Sequence, residues 1–137
     1  MAKTPEGIIK ANCLRWLEKR GIFSWNNPSG VIHISADRWI RFGKKGSSDI
    51  IGVLPDGKFL AIETKSIKGR LSPEQKAFIE KVRGLGGVAI LARSLRELDE
   101  ALCANGYTFS DMPLFNELAA KKNSDDQVTQ TITKGIK

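Results

Sequence analysis

Residues 49–65, DIIGVLPDGKFLAIETK, read as two extended runs around a turn. Asp49–Leu54 and Lys58–Lys65 are the clearest strands of the chain, and Pro55-Asp56-Gly57 between them is a strong hairpin signal. The second run then breaks its own pattern. After Leu60, Ala61 and Ile62, which suit a sheet interior, Glu63 and Lys65 follow two residues apart. Side chains alternate along a strand, so Glu63 and Lys65 share a face. If Leu54 opposes Lys58 around a three-residue loop, Asp49 falls opposite Glu63, where β-carbons stand roughly 4.5–5.5 Å apart. Two carboxylates in that arrangement repel each other unless a cation lies between them.

Carboxylate oxygens are hard ligands that suit Mg²⁺ or Mn²⁺, with water and a substrate phosphate completing the coordination. Lys65 then projects beside the metal. There it can orient or deprotonate a water, or stabilise charge developing on a phosphate. Glu-x-Lys alone is weak evidence. Its weight comes from the combination with an acid opening the preceding strand and a basic loop upstream.

Upstream, Thr4-Pro5-Glu6 starts a helix: a capping hydroxyl, proline in the first turn, then an acid near the positive end of the dipole. Ile9, Cys13, Trp16 and Leu17 fall on one face, and Gly21 ends that helix. Short extended pieces near 22–25, 31–34 and 39–42 are separated by NNPSG and SADR, both turn chemistry. GKKGSS (43–48) is a basic loop that leads into Asp49.

Downstream, Ser72-Pro73-Glu74-Gln75 opens a second helix with Phe78, Ile79, Val82 and Leu85 as its apolar stripe. Glycines at 84, 86 and 87 stop it. VAILA (88–92) is a fully buried strand, and Ser94 caps a last helix carrying Leu95, Leu98 and Leu102. The order is α-β-β-β-β-β-α-β-α, an α/β fold with a mixed β-sheet flanked by helices. Residues 1–118 are expected to form one domain, and the polar, aperiodic 119–137 a frayed tail.

The bulk numbers agree with this. A chain of 137 residues, 41% hydrophobic and 27% charged, holds one globular domain. Its net charge of +7 makes an anionic partner worth considering. The two cysteines, Cys13 and Cys103, have no metal-site spacing and read as reduced core residues of a reducing compartment. No apolar signal region or membrane-length run occurs, so a soluble, cytoplasmic protein is expected.

Residues 46–94, GSSDIIGVLPDGKFLAIETKSIKGRLSPEQKAFIEKVRGLGGVAILARS, resemble the virus-type replication–repair nuclease (VRR-NUC) domain of the PD-(D/E)xK nuclease superfamily. The shared motifs are a helix-one Glu, a G-x-x-D, an E-x-K, and G-R-L-S-P-E-Q opening the next helix. The resemblance implies a restriction-endonuclease-like core. It also implies that Asp49, Glu63 and the Thr64 carbonyl bind the metal, that Glu6 reaches it directly or through water, and that Lys65 is the catalytic lysine. By the same resemblance Gln75 sits over the site and helps hold the nucleophilic water or the phosphate. One departure is visible, since Ser48 stands where the superfamily's name carries proline.

Stand-alone members are similar to homodimeric Holliday-junction resolvases of phages and bacteria, which makes branched DNA the expected partner. Nuclease action on flaps or nicks, or a DNA-binding module that has lost its chemistry, are the alternatives. The intact Asp49, Glu63 and Lys65 favour an enzyme. Lys44, Lys45, Lys68 and Arg70 flank the motifs and are expected to touch phosphate. Glu6 and Gln75 also have ordinary readings, because both residue types are common in first helical turns. Trp16, Trp25 and Trp39 read as core or dimer surface, and His33 as a satisfied strand residue.

Overall fold

In a computed structural model, which describes residues 4–108, the hairpin turn forms as its residues require. Leu54 N–H donates to Lys58 O at 2.9 Å and Gly57 N–H to Leu54 O at 2.8 Å. Gly57 supplies the positive φ, +89°, that the turn needs. The turn joins β4 (Ile50–Val53) to β5 (Phe59–Thr64). Their register pairs Ile50 with Ile62 and Ile51 with Ala61, which is the pairing the three-residue loop predicts.

The remaining elements follow the expected order: α1 (Pro5–Lys19), β1 (Phe23–Asn26), β2 (Gly30–Ser35) and β3 (Arg38–Phe42) precede the hairpin. After it come α2 (Pro73–Gly84), β6 (Val88–Ala92) and α3 (Leu95–Ala104). Strands β1-β4-β5-β6 form one mixed sheet, antiparallel except for the parallel β5–β6 pair that α2 connects. The expected mixed sheet thus holds four of the six strands, and β2 and β3 pair with each other as a separate two-stranded sheet. Glycine at 43, with φ +69°, swings the chain out at the base of that ribbon.

Helices cover the sheet on both sides. Alternation puts Ile51, Ala61 and Ala89 on the side of α2, where they bury against Ile79 and Val82, with Leu71 and Phe78 packed alongside. Ile50, Ile62 and Ile90 point the other way, and with Cys13 and Leu17 of α1 and Leu98 and Leu102 of α3 they are fully buried. Two expectations are corrected here. Leu85 is largely exposed, because the helix stops at Gly84 and Leu85 is already its C-cap. Cys103 is exposed rather than in the core, with its thiol toward Asp99 on the outer face of α3.

The expected boundary at 118 and the tail 119–137 lie outside the described residues. Among the described residues no helix is long and apolar enough to cross a membrane.

Candidate active site

The carboxylates meet where β5 ends. Asp49 stands one residue before β4, and its Oδ2 accepts two hydrogen bonds from Thr64, one from the backbone N–H and one from the hydroxyl, each 2.9 Å. Its carbonyl accepts Asn27 N–H at 2.7 Å. The Asn27 amide also donates to Ser47 Oγ and Ser48 O, at 2.9 and 3.0 Å, so the segment entering Asp49 is tied to the end of β1. Glu6 comes from the first turn of α1, fixed by Thr4 Oγ1 accepting Gly7 N–H at 3.0 Å. One oxygen each of Glu6, Asp49 and Glu63 lies within 4.8 Å of the others.

Glu63 carries the strain of this gathering. It is 1% exposed, and burial pushes its carboxyl up to about 8, helped by the adjacent Asp49 and, more weakly, by Glu6. Lys65 pulls in the opposite direction but does not cancel the effect. Its Oε1 accepts the Gln75 amide at 2.9 Å, whereas its Oε2 is buried without a hydrogen-bond partner. A buried acceptor without a donor is unfavourable by about 1–3 kcal/mol. A dication meets that deficit and the mutual repulsion together. Three oxygen donors, one of them orphaned, fit Mg²⁺ or Mn²⁺ in kind.

Lys65 is mostly buried, with its Nζ 3.7 Å from Glu6 and 3.9 Å from Glu63. Its backbone N–H donates to Ala92 O at 3.1 Å, which extends the β5–β6 ladder and keeps its side chain on the Glu63 face. Gln75 is held at both ends. Its Oε1 accepts Ser72 N–H at 2.8 Å and Ser72 Oγ accepts its own N–H, a capping box that aims its amide nitrogen at Glu63.

None of the four basic residues pairs with the three carboxylates. Lys45 pairs with Glu74 at 3.2 Å, both largely exposed. Gly46, at φ +83°, lets their loop press on the start of α2. Lys44, Lys68 and Arg70 are exposed, and the loop bearing the last two is pinned by Arg93 donating to Gly69 O at 2.9 Å. His33 is exposed with Nδ1 3.2 Å from Ser35 O. Sequence reasoning missed Asn27 and Arg93, since NNPSG reads only as a turn and an arginine after a strand carries no signal of its own.

A family model described as the VRR-NUC domain matches residues 4–96, from the N-cap of α1 into the first turn of α3. All three carboxylates, Lys65 and Gln75 fall inside that span. No curated protein matches the chain.

Proposed function

Because this chain belongs to the VRR-NUC domain family, whose members are nucleases of the PD-(D/E)xK type, we propose that it is a structure-selective endodeoxyribonuclease that works as a homodimer on branched DNA. The observation that carries the reading is the meeting of Glu6, Asp49 and Glu63 within 4.8 Å beside a mostly buried Lys65. Such an arrangement is electrostatically unfavourable by itself and becomes favourable around a dication.

Glu6, Asp49 and Glu63, with the Thr64 carbonyl as a fourth oxygen, would hold Mg²⁺ or Mn²⁺. When bound, the ion supplies Lewis acidity toward a phosphate oxygen and lowers the pKa of a coordinated water. Thr64 fixes Asp49 through two hydrogen bonds, and Gln75 fixes one oxygen of Glu63, so these carboxylates need little reorganisation on binding. Lys65 sets a positive charge beside them, suited to orienting the attacking water and to countering negative charge that grows on the phosphate in the transition state. The free hydrogen of the Gln75 amide is available to that water or to a phosphate oxygen. Lys44, Lys45, Lys68 and Arg70 would track the flanking phosphates.

A homodimer presents two such sites related by a two-fold axis, which symmetrical cleavage of a four-way junction requires. The test is cleavage of junction, flap, splayed-arm and linear duplex substrates in Mg²⁺, in Mn²⁺ and in EDTA. Paired cuts in the junction with either ion, and none in EDTA, are expected. Equal cutting of linear duplex would remove the structure selectivity, and cutting in EDTA would remove the metal.

A further inference from the structure

Among the described residues two apolar patches lie uncovered, and they differ in kind. The first is flat. α2 packs on one sheet face over Ile51, Ala61 and Ala89 and leaves β1 and the hairpin end of that face exposed. There Phe23, Val53 and Phe59 form a row paired across β1, β4 and β5, between 40% and 69% exposed. Trp25, two residues along β1 on the same face, is 44% exposed, with its ring 5.2 Å from that of Phe23.

The second patch is an arm, the β2–β3 ribbon. Gly30 opposes Phe42 and Ile32 opposes Ile40, so Ile32, Ile40 and Phe42 share one face, between 38% and 54% exposed. Arg38, at the start of β3 beside the bulge, is the charged residue at the end of that face. The opposite face is mixed, with His33 against Trp39 and with Arg41 beside Val31. An isolated two-stranded ribbon is at best marginally stable in water, and this one is hydrogen-bonded into no larger sheet. Contiguous exposed apolar area of a few hundred Å² marks an interaction surface.

We propose that the two patches are the halves of one homodimer interface: the ribbon of each protomer lies, Ile32–Ile40–Phe42 face down, across the Phe23–Val53–Phe59 row of the other. This names the surface of the homodimer in the function proposed above and rests on that reading. A chain that carries both an arm and a surface for it is satisfied by reciprocal exchange about a two-fold axis, which leaves neither half free. With its seven apolar side chains roughly half exposed and Ile34 at the ribbon's bulge adding to them, each protomer contributes on the order of 800 Å². That is what a stable interface takes from each partner. The interface also adjoins the chemistry, because residues 43–48 alone join β3 to Asp49.

Sedimentation velocity over low to high micromolar concentration tests this with two variants, one in each half: Ile32→Glu/Ile40→Glu in the ribbon and Phe23→Glu on the sheet. The wild type is expected to dimerise, and each variant to raise the dissociation constant at least about a hundredfold with an unchanged circular-dichroism spectrum. A dimer of wild-type affinity in either variant overturns the surface but leaves the homodimer intact. A wild type that stays monomeric overturns both. Hydrogen exchange on the wild type needs no variant. Protection of the 30–42 amides that rises with protein concentration supports the exchange, and protection independent of concentration overturns it. Asp49→Asn serves as the control for the chemistry: it should dimerise normally, whatever the outcome of the cleavage assay.

Discussion

Thr64 grips one oxygen of Asp49 with two donors, its backbone N–H and its hydroxyl, both at 2.9 Å to Oδ2. This single contact joins the end of β5 to the residue just before β4, and it leaves Oδ1 of Asp49 outside the grip of Thr64. The strand end can serve the proposed metal site because a threonine, rather than another aliphatic residue, follows Glu63.

Thr64→Val should therefore weaken metal binding while keeping the fold. The isosteric change removes the hydroxyl donor and retains the backbone one, so stability falls by about 1 kcal/mol. Loss of a hydrogen bond that orients a metal ligand typically reduces affinity about 10–100-fold. Titration of Mn²⁺ by calorimetry measures this directly. An unchanged dissociation constant would mean that Asp49 needs no help from Thr64.

The raised carboxyl of Glu63 predicts a pH dependence that is specific to the metal-free protein. Its folded value of about 8 lies above the ordinary 4.5, so the folded state holds a proton that the unfolded chain has already released. Stability contributed by that proton is complete below about 4.5, is lost as pH rises through the window, and stays lost above about 8. The effect is on the order of a few kcal/mol for a group this buried. Asp56 and Glu74, whose carboxyls are held low by Tyr107 and by backbone and Lys45 contacts, act below this window and do not obscure it. The melting temperature in EDTA is expected to fall from pH 5 to pH 8, to recover on adding Mn²⁺, and to be flat in Glu63→Gln. A flat wild-type profile in EDTA would contradict the burial argument.

Much of this was legible in the sequence, and the exceptions share a cause. The β4–β5 register follows from Pro55-Asp56-Gly57 and from apolar runs of fixed length, so the approach of Asp49 to Glu63 could be counted residue by residue. Glu6 could not be counted: an acid in a first helical turn is ordinary, and only the resemblance singled it out. Periodicity identifies strands but not their partners, which is why β2 and β3 read as members of the main sheet. It likewise marks apolar positions without saying which neighbours cover them, and Leu85 and Cys103 were misread for that reason. Asn27 was invisible because its role is to hold backbone twenty residues away.

Glycine 46 should tolerate no side chain. Its φ of +83° already disfavours one, and a β-carbon there would stand 2.6 Å from Glu74 O, against backbone that cannot step aside. Gly46→Ala is expected to lift the 43–48 loop from the start of α2 and to lower stability by about 2 kcal/mol or more. It should also impair cleavage, because the loop leads into Asp49 and Glu74 adjoins Gln75. Urea denaturation provides the first reading, and an unaltered midpoint would show that the loop does not depend on this contact.

Asp49→Asn and Lys65→Ala divide the chemistry from the scaffold. Asparagine can still accept both hydrogen bonds from Thr64, so the first variant keeps the geometry and loses the charge that a dication needs. Removing Lys65 leaves Glu6 and Glu63 without their nearby cation, and this weakens transition-state stabilisation rather than DNA affinity. Each change should reduce junction cleavage by roughly 10²–10⁴-fold while binding in Ca²⁺, followed by fluorescence anisotropy, stays within a fewfold of wild type. The two should separate in metal titration, with Asp49→Asn requiring more Mn²⁺ and Lys65→Ala requiring no more than the wild type. Were Lys65→Ala to cut at the wild-type rate, the lysine would be only a counter-ion for a crowded pair of carboxylates. The water would then have to be activated without it.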